Sequence, residues 1–425
     1  MIINLTIENF LSFDAPVSFS LEAGRKTSRH ENHVQNVSGI KILRGAIVYG
    51  ANASGKSNLL KAVDIFSHMF HNGDCSIMSG LQFALGESIR PDMCFDIVYT
   101  WENIVFRYVI KTDGVEVKFE KLSLVSGDRE ALLFERKVGA ELVLGDTLGT
   151  CDWYRQRTMA ARLLYLPKLF SDGLVENRSS IVAADVILAA YAGLQGIFVI
   201  GADSKPRPGA FYEMFKQDGF KDFLLKLLKK ADLGVSGLVW ESIPDKEAQM
   251  HYFNNPFKGN GAWVIGHSRA FILLRRDESG ISGEELRLQH NGTSIRPEAE
   301  SDGTIRLLHL APMLYQMLNV RGTWFVDEAD CHMHPLLVRY LIKAFMDREN
   351  AGAQLVVTAH DTNLMTHDIW RTDEVWFAEK RVDGSTDLYS LYQFQPRHDK
   401  NLERGYLQGL YGALPCLGGE MVYEV

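Results

Sequence analysis

The octapeptide Gly50-Ala51-Asn52-Ala53-Ser54-Gly55-Lys56-Ser57 constrains this chain more than any other stretch. It fits G-x-x-x-x-G-K-[ST] at every fixed position. Its flanks agree with the motif. The apolar run Ala46-Ile47-Val48-Tyr49 reads as a strand leading into it, and Ser57 to Phe70 reads as a helix leading out. Glycines let such a loop wrap a phosphate with backbone N–H groups, and the helix N-terminus adds positive dipole. In that reading Gly50, Asn52, Ala53, Ser54, Gly55 and Asn58 line the nucleotide, and Lys56 reaches the β- and γ-phosphates of ATP. The Ser57 hydroxyl holds Mg²⁺. The plainer alternative, a glycine-rich turn that only imitates the motif, loses ground once its partners are found further along the chain.

Those partners are carboxylates and a histidine at strand ends. Thr323-Trp324-Phe325-Val326 is an apolar run ending in Asp327-Glu328. Asp327 is placed to reach the Mg²⁺ shell and Glu328 to activate a water, the two roles that phosphoryl transfer requires. Gln354-Leu355-Val356-Val357 is a further apolar run, followed by Thr358-Ala359-His360. A histidine there can meet the γ-phosphate or the attacking water, although a capped surface histidine would look the same. Ser301-Asp302-Gly303-Thr304 opens the helical stretch Leu307–Leu318. It is either an anion site at a helix N-terminus or an ordinary cap.

Between these halves, residues 92–125 alternate like antiparallel strands, and about 155–235 read as helical, including one run from Phe211 to Leu233. Short strands resume at 237–293. The expected architecture is therefore α/β: an ATPase head with a mixed sheet, interrupted by a mainly helical insertion. The expected limits are 1–150 for the N-terminal half of the head, 151–240 for the insertion and 241–425 for the C-terminal half. No run approaches the ~18 apolar residues of a membrane span, and the N-terminus reads as a strand and not a signal peptide. Five scattered cysteines without a C-x-x-C pair fit reduced thiols in a cytoplasm. A net charge of −8 argues against non-specific coating of nucleic acid. Two further features have plain explanations. Asp330-Cys331-His332-Met333-His334 has metal-ligand residue types but directly follows the acidic pair. Lys216, Lys221, Lys226, Lys229 and Lys230 form the solvated face of an amphipathic helix.

The order of these motifs resembles the ABC-type ATPases, in particular the SMC, RecF and OLD group, whose heads are split by an insertion. Glu8-Asn9-Phe10-Leu11-Ser12-Phe13 is similar to that group's N-terminal signature, departing at Leu11, where the group usually carries Arg or Lys. Gly50–Asn58, Glu300–Thr304, Thr358–Leu364 and Tyr406–Pro415 resemble the small stand-alone ATPases of bacterial abortive-infection and anti-phage operons, such as the RloA-like proteins and the AriA subunit of PARIS. The resemblance implies that Ser301 and Gly303 form a signature turn acting on ATP held by an opposing copy. It also implies a homo-oligomer, at least a head-to-head dimer, and a separately encoded effector such as a TOPRIM-type or HNH nuclease, with a phage protein as trigger. The glutamine-loop residue of that class is not placed, Gln82 being a poor candidate. Two other readings follow from the same group. One is a RecF-like ATPase acting on DNA, which the acidic balance and the lack of a coiled-coil arm disfavour. The other is an intrinsic OLD-like nuclease, disfavoured by the roughly 65 residues that follow His360.

Overall fold

Apolar runs without a polar face belong in a sheet covered on both sides. The computed structural model describes all residues except 26–28, 87–89, 150–158, 172–180, 203, 205–207, 232, 258–260, 267–270, 279, 332, 349–351, 398–400 and 416–425. Its P-loop sheet runs, in spatial order, Ile197–Ile200, Gly322–Val326, Ala353–Thr358, Gly45–Tyr49, Val375–Lys380 and Thr386–Ser390. Neighbours among the first five are parallel and the last pair is antiparallel, so the sheet is mixed, as expected. Gly45–Tyr49 and Ala353–Thr358 are buried at every position.

A second sheet of seven antiparallel strands includes Ile2–Glu8, Met93–Trp101, Ile104–Thr112 and Val117–Ser126. The P-loop helix Lys56–Asn72 lies between the two sheets. Its Leu59, Val63, Phe66 and Phe70 recur at helical spacing and are buried. Phe66 and Phe70 meet Phe95 and Tyr108 of the antiparallel sheet at 5.8–6.3 Å. Ser67 Oγ donates to Ile197 O of the P-loop sheet at 3.1 Å. Truncating an aromatic such as Phe66 in this layer would cost about 3–5 kcal/mol. One buried amide also fastens the sheets together. Gln354 Oε1 accepts from Ile2 N and Thr323 Oγ1, while its Nε2 donates to Ile2 O and Leu43 O. All four hydrogen-bonding positions of that amide are used, as a fully buried amide requires.

The chain forms two compact units, one of Met1–Gly201, Arg321–Ala329 and Ile342–Val425, the other of Ala202–Val320 and Asp330–Leu341. These limits differ from 151 and 241. The helix Ile181–Gln195 is apolar on nearly every side, so it packs into the first unit's core, where Tyr99 Oη donates to Ala190 O at 2.8 Å. Beyond its helices Pro208–Phe215 and Asp218–Lys230, the second unit holds the short strands expected over 237–293. Gly237–Ile243, Gly280–His290, Phe271–Asp277 and Gly261–Gly266 form an antiparallel sheet with Thr293–Ile295 beside it, accompanied by helices such as Asp302–Asn319. The helix expected over 211–233 is two, Pro208–Phe215 and Asp218–Lys230. Gln217 between them is extended, and the Asp218-Gly219 pair starts the second helix afresh. That second helix buries Phe220, Leu224, Leu227 and Leu228 and leaves Lys221, Lys226, Lys229 and Lys230 in solvent, the amphipathic pattern its sequence announces. No helix among the described residues is long and apolar enough to cross a membrane.

Candidate functional site

Parallel strands bring their C-terminal ends to one edge, where ligands bind in sheets of this kind. Gly322–Val326, Ala353–Thr358 and Gly45–Tyr49 are adjacent in that order. The Asp327-Glu328 pair, His360 and the loop beginning at Gly50 therefore leave the sheet side by side. They border a cavity of about 520 Å³ lined by Asn52, Ala53, Ser54, Gly55, Lys56, Ser57, Asn58, Glu328 and His360. Residues more than 300 positions apart in sequence thus share one site through strand order alone.

The loop's glycines are required by its shape. Gly50 has φ +155, and a Cβ there would lie 2.3 Å from Ala378 O. Gly55 has φ +109, and a Cβ would lie 2.1 Å from Thr386 Oγ1. Ala53 also takes a left-handed conformation, at φ 61. Lys56 is buried and donates from Nζ to Gly50 O at 2.7 Å and Ala51 O at 3.0 Å. The ammonium is thus bent over the loop it would clamp around a phosphate. Ser54 Oγ is buried in the same cradle without a hydrogen-bond partner among the described residues. An unsatisfied buried hydroxyl costs roughly 1–3 kcal/mol, and a phosphate oxygen would satisfy it. The cradle therefore fits a nucleotide phosphate.

The acidic pair is positioned by a residue that the sequence reading did not assign. Thr358 Oγ1 donates to Asp327 Oδ1 at 2.6 Å and accepts from Glu328 N at 2.8 Å. Its own carbonyl accepts from Ala329 N at 3.0 Å. Asp327 Oδ2 makes no hydrogen bond among the described residues. With the Ser57 hydroxyl it offers the hard oxygen donors that suit Mg²⁺. Glu328 is held at φ 46, a left-handed conformation that costs a non-glycine residue of order 1–3 kcal/mol. Its Oε1 faces His360 Nε2 at 3.9 Å, and both side chains are partly open to solvent.

Other contacts missed in the sequence form a polar chain behind the loop. Asn58 Nδ2 donates to Ser12 Oγ at 2.8 Å. Thr386 Oγ1 lies 2.7 Å from Ser12 Oγ and 2.9 Å from Ser54 O. Ser12 stood inside the N-terminal signature, but nothing local marks Thr386. Gln82 spends its side-chain amide on Pro91 O and Asp113 O.

Ser301 and Gly303 belong to the second unit, whereas all the lining residues belong to the first. Ser301 is the N-cap of Asp302–Asn319, with Oγ accepting from Thr304 N at 3.1 Å, and Gly303 lies in the first turn. In the Cys331–His334 stretch, His334 Nδ1 accepts from Leu336 N at 3.2 Å at the start of the helix Pro335–Met346, and His332 lies outside the described residues.

Residues 239–366 match the family described as "AAA domain, putative AbiEii toxin, Type IV TA system". That span contains Ser301, Asp327, Glu328 and His360 and begins after the P-loop. No curated protein matches. Among solved structures, the chain is similar to an Smc head bound to the C-terminal winged-helix domain of ScpA, at 16% identity, covering 92% of this chain and 97% of that one with a TM-score of 0.47. It is similar to an SMC head domain from Thermotoga maritima, at 13% identity over 92% and 98% with a TM-score of 0.39. A third is an Smc head with an extended coiled coil bound to the C-terminal domain of ScpA, derived from Pyrococcus furiosus, at 16% identity over 93% and 97% with a TM-score of 0.41.

Proposed function

We propose that the chain is an SMC/ABC-like P-loop ATPase of the abortive-infection type, and that it hydrolyses ATP to switch a partner effector in anti-phage defence. The observation that carries the ATPase reading is the meeting of Lys56, Glu328 and His360 around one cavity, delivered by three adjacent parallel strands. Lys56 exchanges its two loop carbonyls for the β- and γ-phosphate oxygens of ATP, and the amides of the loop wrap them. Ser57 and Asp327 would hold Mg²⁺, which would supply charge neutralisation on those phosphates. Glu328 accepts a proton from a water whose oxygen attacks the γ-phosphorus, and the bond to the β-phosphate bridging oxygen breaks. His360 faces the γ-phosphate side and orients the water or the phosphate. Thr358 and the left-handed backbone at Glu328 keep the base aimed before substrate arrives, which is where preorganisation contributes to rate.

In a head-to-head pair, Ser301 and Gly303 of one copy would reach the nucleotide of the other. Closing and reopening the pair would then hold and release a separately encoded effector, a TOPRIM-type or HNH nuclease, in response to a phage protein in the cytoplasm. Glu328→Gln tests the core of this. The variant should retain ATP binding and hydrolyse at least ~100-fold more slowly, since losing a general base costs roughly 10²–10⁴ in rate. Wild-type turnover in the purified variant would remove Glu328 from that role. The defence role is tested by phage plating on cells carrying the chain with its neighbouring genes. Protection lost on Glu328→Gln or on deleting a nuclease neighbour is expected, and undiminished protection in both would overturn it.

A further inference from the structure

The segment Tyr406–Pro415 has no part in the nucleotide chemistry above, yet it is folded against both flanks of the site. The short helix Leu402–Leu407 begins it, with Leu402 and Tyr406 buried. Tyr406 stacks on Phe377 at 5.4 Å and lies 6.0 Å from Tyr49, the residue that precedes Gly50. Its hydroxyl donates to Ala413 O at 3.1 Å, closing the segment on itself. Ala413 N donates to Glu379 Oε1 at 3.3 Å, and Tyr389 Oη lies 2.9 Å from both Glu379 Oε2 and Tyr411 O. Burial, with Glu379 beside it, pushes the Tyr389 phenol up, so it stays a donor at neutral pH. Gly412 stands at φ +71, where a Cβ would come within 2.5 Å of Tyr389 Oη. This is a clasp locked by aromatic stacking and by a glycine that admits no side chain.

The clasp reaches the turn that follows the histidine. On its N-terminal side, His360 is fixed by the strand Ala353–Thr358 and by Ala359 N, which donates to Val48 O at 3.3 Å. On its C-terminal side the chain leaves the sheet into the single turn Thr362–Leu364. Two contacts reach that turn from Tyr49 and from the clasp helix. Tyr49 Oη donates to Asp361 O at 3.4 Å, and Thr362 Oγ1 donates to Glu403 Oε1 of the clasp helix at 2.7 Å. Glu403 thus accepts from the side chain of a residue two positions from His360, through a bond spanning 41 positions. Displacements of about 1 Å at a reacting group can cost 10²-fold in rate.

We propose that Glu403, acting through Thr362, is a positioning residue for His360, and that the clasp is what sets the histidine for hydrolysis. The inference rests on the ATPase reading above. Glu403→Ala should lower kcat about tenfold while KM for ATP stays within about twofold, the split expected when an interaction matters only in the transition state. Glu403→Gln keeps an oxygen acceptor and should restore most of the rate. Thr362→Val removes the donor from the other end and should reproduce the loss, which serves if Glu403→Ala folds poorly.

A double-mutant cycle separates positioning from mere stability. In a His360→Ala background, Glu403→Ala should cost less than about twofold further. An equal tenfold cost in both backgrounds, or no loss in Glu403→Ala alone, overturns the proposal. His360→Ala turning over at the wild-type rate would remove the role of His360 and this inference with it. Slow His360→Ala beside unaffected Glu403→Ala would overturn the clasp and leave the ATPase reading standing.

Discussion

Around the P-loop the backbone is bent into conformations that most residues avoid: Gly50, Ala53, Gly55 and Glu328 all have positive φ. At the Ser301 turn nothing is forced. Ser301 sits at φ −69 and ψ 154 and caps its helix through Thr304 N, as serine does at many helix starts. Strained conformations persist only where the surroundings over-determine them. In the first unit those surroundings are visible: Ala378 O and Thr386 behind the glycines, and Thr358 against Glu328. Under the proposed function, the first region is preorganised within one chain for the nucleotide. The second is an exposed, relaxed helix start whose nucleotide chemistry, under the proposed function, requires another copy. Nucleotide affinity should therefore respond steeply to change in the first region and hardly at all in the second.

The largest effect is expected at Lys56. Lys56→Ala removes the charge aimed at the phosphates and should abolish stable ATP binding. A ligand at a hundredfold excess over Kd stabilises a fold by about 2.7 kcal/mol, so the variant should lose the ATP-dependent rise in melting temperature. A rise equal to wild type would mean that the cradle is not the binding site, and the contrast between the two regions would collapse.

Thr358→Val comes next. Valine keeps the shape of threonine but cannot donate to Asp327 or accept from Glu328 N. Groups that orient metal ligands from behind typically contribute 10–100-fold in affinity or activity. The Mg²⁺ concentration giving half-maximal ATPase should rise about tenfold or more, and Thr358→Ser should retain the wild-type value. An unchanged Mg²⁺ dependence in the valine variant would show that Asp327 is aimed by something other than this hydroxyl.

What the sequence disclosed and what it hid follow from the range of each interaction. The placement of Gly50–Ser57, Asp327-Glu328 and His360 at strand ends was legible because each motif is written in a few consecutive residues beside an apolar strand. Their convergence was legible too, since apolar strands alternating with helices imply parallel order and a shared edge. Thr386 was invisible because its partners, Ser12 and Ser54, lie more than 300 positions away. The second unit's strands were legible as short runs over 237–293, but their order in the sheet was not, because it is set by pairing between segments and not within them. Thr358 stood in plain view next to His360. Only the pairing of its strand with Gly322–Val326 reveals that its hydroxyl reaches both carboxylate residues.

The smallest effect on nucleotide affinity is expected at Ser301, and it is the one that sharpens the contrast most. Replacing the cap should cost the second unit about 1 kcal/mol, while ATP binding by a single chain stays within about twofold of wild type. Ser301→Arg adds bulk where an opposing nucleotide would approach, so closure and hydrolysis should fail although binding survives. Mixing then tests the trans arrangement directly. In the proposed two-fold pair, one chain's P-loop would face the other's Ser301 turn, since the symmetry makes both contacts equivalent. A heterodimer of Ser301→Arg with Lys56→Ala would therefore hold one composite site with both halves intact and one with both damaged. Partial recovery of ATPase on mixing two inactive variants, with subunit exchange verified, is the expected outcome. Normal hydrolysis by Ser301→Arg alone would reduce Ser301 to the helix cap it resembles. Inactivity that no mixing rescues would place its function within its own chain and dissolve the contrast between a preorganised cradle and a turn awaiting a partner.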